Sequence, residues 1–328
     1  MFHRLRQLFD PYIALMLLVV VIAAILPARG QGAAIAGMLA DGGIVFLFFL
    51  YGARLSPQAA LGGLMQWPLH LCVLTSTFIL FPLLGKALEY LSPASMPPEI
   101  VTGLMFLCVL PSTVQSSIAF TSIARGNVPA AICAASASNM LGVFISPLLA
   151  GWLLKTQGLE LSFGIFRDIT LQLLVPFLAG QVLRSWIGRW VETRKKLLGY
   201  ADRGSILLII YVAFSKGVMS GMWSQFELAD LLVLVVMLSG LLASVLIVTS
   251  FAARRILRFP VQDEIVLQFC GSKKSLASGL PMASILFAGP QVGIVVLPLM
   301  LFHQLQLIVC AILARHYATR RDDIGANL

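Results

Sequence analysis

Acidic side chains are scarce in this sequence. Asp and Glu number 14 among 328 residues, against 23 Lys and Arg, and charged residues of all kinds amount to 11%. No carboxylate falls at the middle of any long apolar run, so a cation placed there has no acid partner at its own depth. Ser/His/Asp triads, phosphate-binding loops and clustered metal ligands are missing at workable spacing, which argues against an enzyme. The five cysteines, Cys72, Cys108, Cys133, Cys270 and Cys310, lie in apolar runs without metal-ligand spacing and read as small core residues. Long polar loops are missing too, which leaves no room for a separate soluble domain.

What the chain has instead is apolar length. Hydrophobic residues make up 59% and mean hydropathy is +0.93. No soluble domain of this size can bury so much apolar surface, so the class is an all-α polytopic membrane protein in contact with a lipid bilayer. About 20 apolar residues cross a bilayer. On that measure ten transmembrane helices are expected, at roughly 11–28, 34–53, 65–87, 100–124, 128–154, 164–187, 203–222, 228–251, 263–288 and 291–314. The N-terminal run has the basic-then-apolar look of a signal peptide. It is long, however, and Pro27-Ala28-Arg29 is a poor cleavage site, so it reads as a retained first span. The longest polar stretch, 188–202, falls between spans six and seven and is expected to be a loop. It divides a single transmembrane domain, 1–328, into repeats of about 11–154 and about 164–314. Five spans per half put the second half in upside down, a 5+5 inverted repeat.

The basic residues orient the chain. With the N-terminus inside, only Arg29, Lys86, Lys155 and Arg167 fall outside. Arg4, Arg6, Arg194, Lys195, Lys196, Arg320, Arg321 and the other basic residues of loops and termini fall on the inner side. This bias places both termini in the cytoplasm of an inner (plasma) membrane protein. It also accounts for the net charge of +9 without nucleic acid as a partner.

Two spans are interrupted. Span four reads EIVTGLMFLCVL, then PSTVQSS, then IAFTSIARGN. Pro111 removes a backbone donor and clashes with the preceding turn. Ser112 and Thr113 suit the cap of a new half-helix, and Gln115, Ser116 and Ser117 add donors and acceptors. A plain proline kink, with hydroxyls bonded back to their own helix, is the simpler alternative. Span nine breaks at Gly271-Ser272, within CGSKKSLASGLP. Its first half should end in free carbonyls near Cys270, and its second half should begin with free amides near Ser275. Broken spans in corresponding positions of inverted halves run in opposite directions and can cross. They then offer carbonyl ends for cations and amide ends for anions.

Lys273 and Lys274 fall in the second break. A charge at the bilayer centre costs about 2.5–3.5 kcal/mol on insertion scales. Asp263 and Glu264 lie about nine residues earlier, ~14 Å along a helix. A midplane lysine must then point at carbonyls, be neutralised by burial and carry protons, or await an anionic substrate. The alternative is that one of the pair snorkels to the cytoplasmic interface. Ser136, Ser138 and Asn139 on span five either face the crossing or tie helices together. His303, Gln304 and Gln306 form a polar cluster on span ten with the same two readings, and Lys216 ends span seven at the interface.

Four stretches resemble the bile acid:sodium symporter superfamily, in its bacterial branch related to the seventh member of solute carrier family 10. They are FLFFLYGARLSP (47–57), LPSTVQSSIAFTSIARGNVPAAICAASASNMLGVFISPLL (110–149), CGSKKSLASGLPMASILF (270–287) and LPLMLFHQLQLIVC (297–310). The resemblance implies a panel of spans 1, 2, 6 and 7 and a core of spans 3–5 and 8–10. Spans 4 and 9 would cross as discontinuous helices, and substrate would pass between panel and core by alternating access. By motif position, the carboxylate that binds sodium in the sodium-coupled relatives corresponds to Gln268. Their following Met, Gln and Asn correspond to Gly271, Ser272 and Lys273. A Ser-Asn pair corresponds to Ser116-Ser117, a Gln on span three to Thr77, and two hydroxyl ligands on span five to Ala131 and Ala135. An oxygen-rich sodium cage is thus largely dismantled, and a lysine ammonium is available in its place.

The expected function is secondary active transport of a small organic anion. Coupling is to protons or absent, not to sodium through the usual site, and no metal or other cofactor is expected. Substrate or ion contacts are expected from Thr77, Ser112, Thr113, Gln115, Ser116, Ser117, Ser138, Asn139, Gln268, Ser272, Lys273, Lys274, Ser275 and Gln304. The alternative function is a membrane regulator or sensor that binds a ligand without moving it, for example in calcium homeostasis as the resemblance suggests.

Overall fold

The structure, a computed structural model, describes residues 11–54, 66–154, 167–221, 227–287 and 289–319. Arg4, Arg6, Lys155, Arg320 and Arg321 lie outside the described residues, as do the edges of several expected spans at 65, 164–166, 222 and 288. Among the described residues the regular elements are helical: α1 (Pro11–Ile25), α2 (Gly30–Arg54), α3 (Trp67–Leu91), α4 (Pro98–Val109), α5 (Gln115–Ile123), α6 (Val128–Leu153), α7 (Val175–Thr193), α8 (Lys195–Met219), α9 (Leu228–Phe251), α10 (Val261–Gly271), α11 (Leu276–Leu286) and α12 (Val292–Ala318). Prolines sit in the first turn of α3, α4 and α6, where a missing N–H costs no helix bond. Asn127 caps α6 by accepting from the Ala130 N–H at 3.1 Å, and Glu227 with Asp230 closes a capping box at the start of α9.

Among the described residues six helices are long and apolar enough to cross a membrane: α2, α3, α6, α8, α12, and α9 together with the π-helical turn that extends it to Ile256. Leu148, Trp152, Trp186 and Val236 stand exposed on the outside, the surface a bilayer requires. This is a polytopic helical membrane protein. The polar stretch 188–202 is not a loop. α7 runs to Thr193 and α8 starts at Lys195, with only Arg194 between them. Lys, Arg, Glu and Leu are good helix formers, so composition marks where the apolar span ends and not where the helix ends.

Between helices in lipid there is little hydrophobic drive, and association rests on close fit. α2 and α7 meet backbone to backbone. A Cβ on Gly52 would stand 2.0 Å from the Phe177 carbonyl oxygen, and one on Gly180 would stand 2.0 Å from that of Phe49. α1 and α2 also pack on α8, while α12 lies along α4 and α3 along α4. Edge-to-face pairs Phe81–Phe302 and Phe106–Phe287, with centroids 6.0 and 5.2 Å apart, lock α3 to α12 and α4 to the end of α11. Contact between the α1/α2/α7/α8 group and the rest runs mainly through α8 against α11 and α12.

Leucine at Gly52 or Gly180 should force α2 and α7 apart and cost about 2 kcal/mol or more, seen as an earlier thermal melt of the purified protein. Gly37→Ala, where an added Cβ meets nothing within 4 Å, should leave the melt unchanged or slightly raised.

Candidate functional site

Both interrupted segments are broken. α4 stops at Val109 and α5 begins at Gln115; α10 stops at Gly271 and α11 begins at Leu276. The breaks touch. Ser112 Oγ donates to the Cys270 carbonyl at 2.6 Å, Ser117 Oγ to that of Phe269 at 2.9 Å, and the Ser275 N–H to that of Pro111 at 2.8 Å.

Helix ends strand carbonyls, and in a buried place each needs a donor. At the end of α10, hydroxyls supply them. Ser272 Oγ reaches the Gln268 carbonyl at 2.5 Å and Ser76 Oγ that of Gly271 at 2.8 Å, beside the Ser117 and Ser112 bonds. At the end of α4, Ser146 Oγ serves Val109 at 2.7 Å and Asn139 Nδ2 serves Ser112 at 3.0 Å. The Cys108 and Leu110 carbonyls go to the Lys274 ammonium, at 2.8 and 2.7 Å.

Lys274 Nζ has a third acceptor, the Thr77 carbonyl at 2.8 Å. That oxygen is free for a local reason. α3 opens into a π-helical turn at Ser76–Leu80, in which the Phe81 N–H bonds back to Ser76. The next amide along, the one that would serve Thr77, belongs to Pro82 and has no hydrogen. Three acceptors match the three donors of an ammonium, and the Phe81 ring lies 4.0 Å below it. The backbone of Lys274 is clamped as well. Its N–H donates to Gln306 Oε1 at 2.8 Å and its carbonyl accepts from Gln306 Nε2 at 3.0 Å. Gln306 is in turn 2.9 Å from His303 Nδ1.

Lys273 is placed differently. Its Nζ is buried with no hydrogen-bond partner among the described residues and faces the Phe120 ring at 3.9 Å and the Phe269 ring at 5.6 Å. Both lysines are 0% exposed, so neither snorkels to an interface.

Several expected contacts take another form. Ser112 and Thr113 do not cap α5, whose N-cap is Val114 without a side-chain bond. Ser112 Oγ is held by Cys270 instead, and Thr113 Oγ1 pairs with Ser116 and Ser117 at 2.8 and 3.1 Å. Ser138 accepts from the Ser112 N–H at 3.1 Å. Asn139 bridges the breaks, since its Oδ1 accepts from Ser278 Oγ at 2.9 Å. Ser275 does cap α11, accepting from the Ser278 N–H at 3.2 Å. Thr77 Oγ1 turns back to its own helix at Val73, so the residue contributes a carbonyl and not a hydroxyl. Gln268 Nε2 reaches across to the Leu246 carbonyl of α9 at 3.1 Å and is a tie between helices. Ala131 and Ala135 lie in a buried apolar cluster with Val266, Leu267 and Cys270. Gln304 makes no bond to the crossing; the residue that does is Gln306, two positions on.

Beside the crossing lies a cavity of about 600 Å³. One wall is Thr113–Ser116, Ser136, Asn139, Ser275–Ser278 and His303. The facing wall is Tyr12, Tyr51, Arg54, Phe177, Lys195, Lys196, Asp202 and Arg203. Arg54 Nη1 and Asp202 Oδ2 pair at 2.9 Å, and Tyr51 OH reaches over to the Ala277 carbonyl at 3.4 Å. The sequence reading missed this second wall because it assigned 188–202 to a loop. The signal was present: Lys195, Gly199, Asp202, Arg203 and Ile206 recur at the spacing of one helix face.

Broken helices that meet inside a membrane protein, next to a cavity, are the architecture of a solute carrier. A sequence profile of the SBF-like CPA transporter family matches residues 10–319, and the chain belongs to that family. It is 53% identical, over 99% of its length and 98% of the relative's, to an uncharacterized protein of Pseudomonas aeruginosa. It is 47% identical, over 99% and 97%, to a protein of Escherichia coli strain K12 named "Putative symporter YfeH". Sodium/bile acid cotransporter 7 of Rattus norvegicus is 28% identical, over 82% of this chain and 80% of its own. The expected resemblance to bile acid:sodium symporters is met, and the family is one of transporters and not of enzymes.

Lys274→Met should strand three buried carbonyls and cost about 3–5 kcal/mol, whereas Lys273→Met breaks no hydrogen bond and should cost about 1 kcal/mol or less. Thermal melts of the two variants check this; equal losses would remove the distinction between the two amines.

Proposed function

We propose that this chain is a secondary active carrier of a small organic anion, working by alternating access in the inner membrane with both termini cytoplasmic. In this reading ten membrane-crossing segments form a 5+5 inverted repeat. α1, α2, α7 and α8 make the panel, α3–α6 and α9–α12 make the core, and α4–α5 and α10–α11 are the two crossing helices. The anion sits in the cavity between them. The cavity's core-side wall carries the N-terminal turns of α5 and α11, whose amides favour negative charge.

One observation carries the reading: the Lys274 ammonium holds the Thr77, Cys108 and Leu110 carbonyls at 2.7–2.8 Å with no acid beside it. A cation is thus built into the crossing, tethered by its own side chain. It takes the role of a coupling metal ion but cannot leave, so the cycle needs no sodium at this place. Gln268 bonded to Leu246, and Ala131 and Ala135 in apolar packing, support the same conclusion. Coupling is then to protons or absent. Lys273, held by aromatic faces and no carbonyl, is the amine free to change its protonation.

A thermal-shift screen of organic anions identifies a ligand, because binding to the folded state raises apparent stability. Counterflow of that labelled ligand in proteoliposomes should persist when choline replaces sodium, and should be lost in Lys274→Met. Steep sodium dependence that survives Lys274→Met would overturn the built-in cation. Binding without any counterflow would point instead to a membrane regulator or sensor.

A further inference from the structure

Tyr51 of α2 reaches across the cavity. Its hydroxyl donates to the Ala277 carbonyl of α11 at 3.4 Å, a long bond. Packing between the α1/α2/α7/α8 group and the rest runs mainly through α8, so this bond is a separate tie from α2 to a crossing half-helix. The Ala277 carbonyl is open for a local reason. Its α-helical partner would be the amide of residue 281, and that residue is Pro281, inside α11. Proline brings no N–H, and its ring pushes against the carbonyl four residues back. The cavity is lined by both Tyr51 and Ala277.

On the opposite wall stands Asp202 of α8. Arg54 Nη1 holds its Oδ2 at 2.9 Å. Its Oδ1 is buried with no hydrogen-bond partner among the described residues. The charges of Arg54 and Arg203 act on this carboxylate, and the Tyr51 hydroxyl is close enough to act on it too, yet Oδ1 accepts no bond in this form. A buried carboxylate oxygen without a donor is costly. A phenol has one hydrogen to give, and two acceptors compete for it.

We infer that Tyr51 is a two-position tie, donating to the Ala277 carbonyl in the form seen here and to Asp202 Oδ1 when α11 moves away from α2. This rests on the carrier reading for that movement and goes beyond it in naming the group whose bond must change. In the second form the phenol makes a charge-assisted bond and lets the start of α11 go. Each form leaves one acceptor without the phenol, which keeps either from becoming a dead end. Tyr51 is thus a positioning residue that couples α2 and α8 to the crossing, without a role as a ligand of the transported molecule.

The test reads the two forms in purified protein, as distances between spin labels carried on p-acetylphenylalanine. The labels replace Ile123 on α5 and Trp190 on α7, both exposed. Two separations are expected in the parent. Tyr51→Phe keeps the ring and its edge contact with Phe48, centroids 5.6 Å apart, and removes the hydroxyl. It should shift the ratio of the two populations about threefold or more toward the form seen here, because the charge-assisted bond is the stronger of the two that are lost. Pro281→Ala gives Ala277 its missing N–H and should shift the ratio the other way by a similar factor. A tyrosine with a structural role alone would lower the melting temperature and leave the ratio where it was. Shifts in the same direction, a ratio unmoved in both variants, or one separation throughout would overturn the tie. Should Tyr51→Phe fail to fold, the direction of the Pro281→Ala shift decides. Opposite shifts without counterflow of any bound anion would leave the tie standing and remove the carrier reading; counterflow with an unmoved ratio would do the reverse.

Discussion

Everything at the centre of this protein follows from one constraint: a helix broken in a low-dielectric interior exposes carbonyls that must be given donors. Two helices are broken at the same place, and the demand is met in two ways. The α10 end is served by four hydroxyls, Ser272, Ser117, Ser112 and Ser76. The α4 end is served in part by the Lys274 ammonium. The hydroxyls stitch α10 to α3, to α5 and to the segment between α4 and α5. The ammonium stitches the α10–α11 break to α3 and α4. Neither break is stable alone, and each supplies donors the other needs.

The same constraint explains why an amine is tolerated without a carboxylate. A buried charge is costly unless it is paired or fully hydrogen-bonded. Lys274 is fully hydrogen-bonded, at the negative end of the α4 dipole, over an aromatic face. Lys273 has only the faces. Adjacent in sequence, the two amines point into different environments because the backbone between α10 and α11 is not helical. Gln306 fixes that stretch by bonding both polar groups of the Lys274 backbone.

How much of this was legible beforehand depended on what carries the information. Apolar length gave the membrane class, and among the described residues six helices long and apolar enough to cross a membrane overlap six of the expected spans. Pro111 and Gly271-Ser272 marked the breaks, because glycine and proline there have few other uses. Helix ends beyond the lipid were not legible, and the α7–α8 junction at Arg194 was read as a loop for that reason. The Thr77 acceptor was not legible either, since a carbonyl has no letter of its own; Thr77 was picked because it matches a Gln of the family by motif position, and its hydroxyl turns back to Val73. Gln304 and Gln306 differ only by helix register, two residues or about 200° of rotation, and an apolar run with little polar contrast does not reveal which one faces inward.

Pro82 draws these threads to a point that contact maps would overlook. It gives the ammonium no atom to bind. Its effect is one of omission: any other amino acid there would bring a hydrogen to compete for the Thr77 oxygen. What matters at this position is therefore a hydrogen that is absent. Pro82 touches neither the ammonium nor the oxygen, yet it keeps the third acceptor open for Lys274.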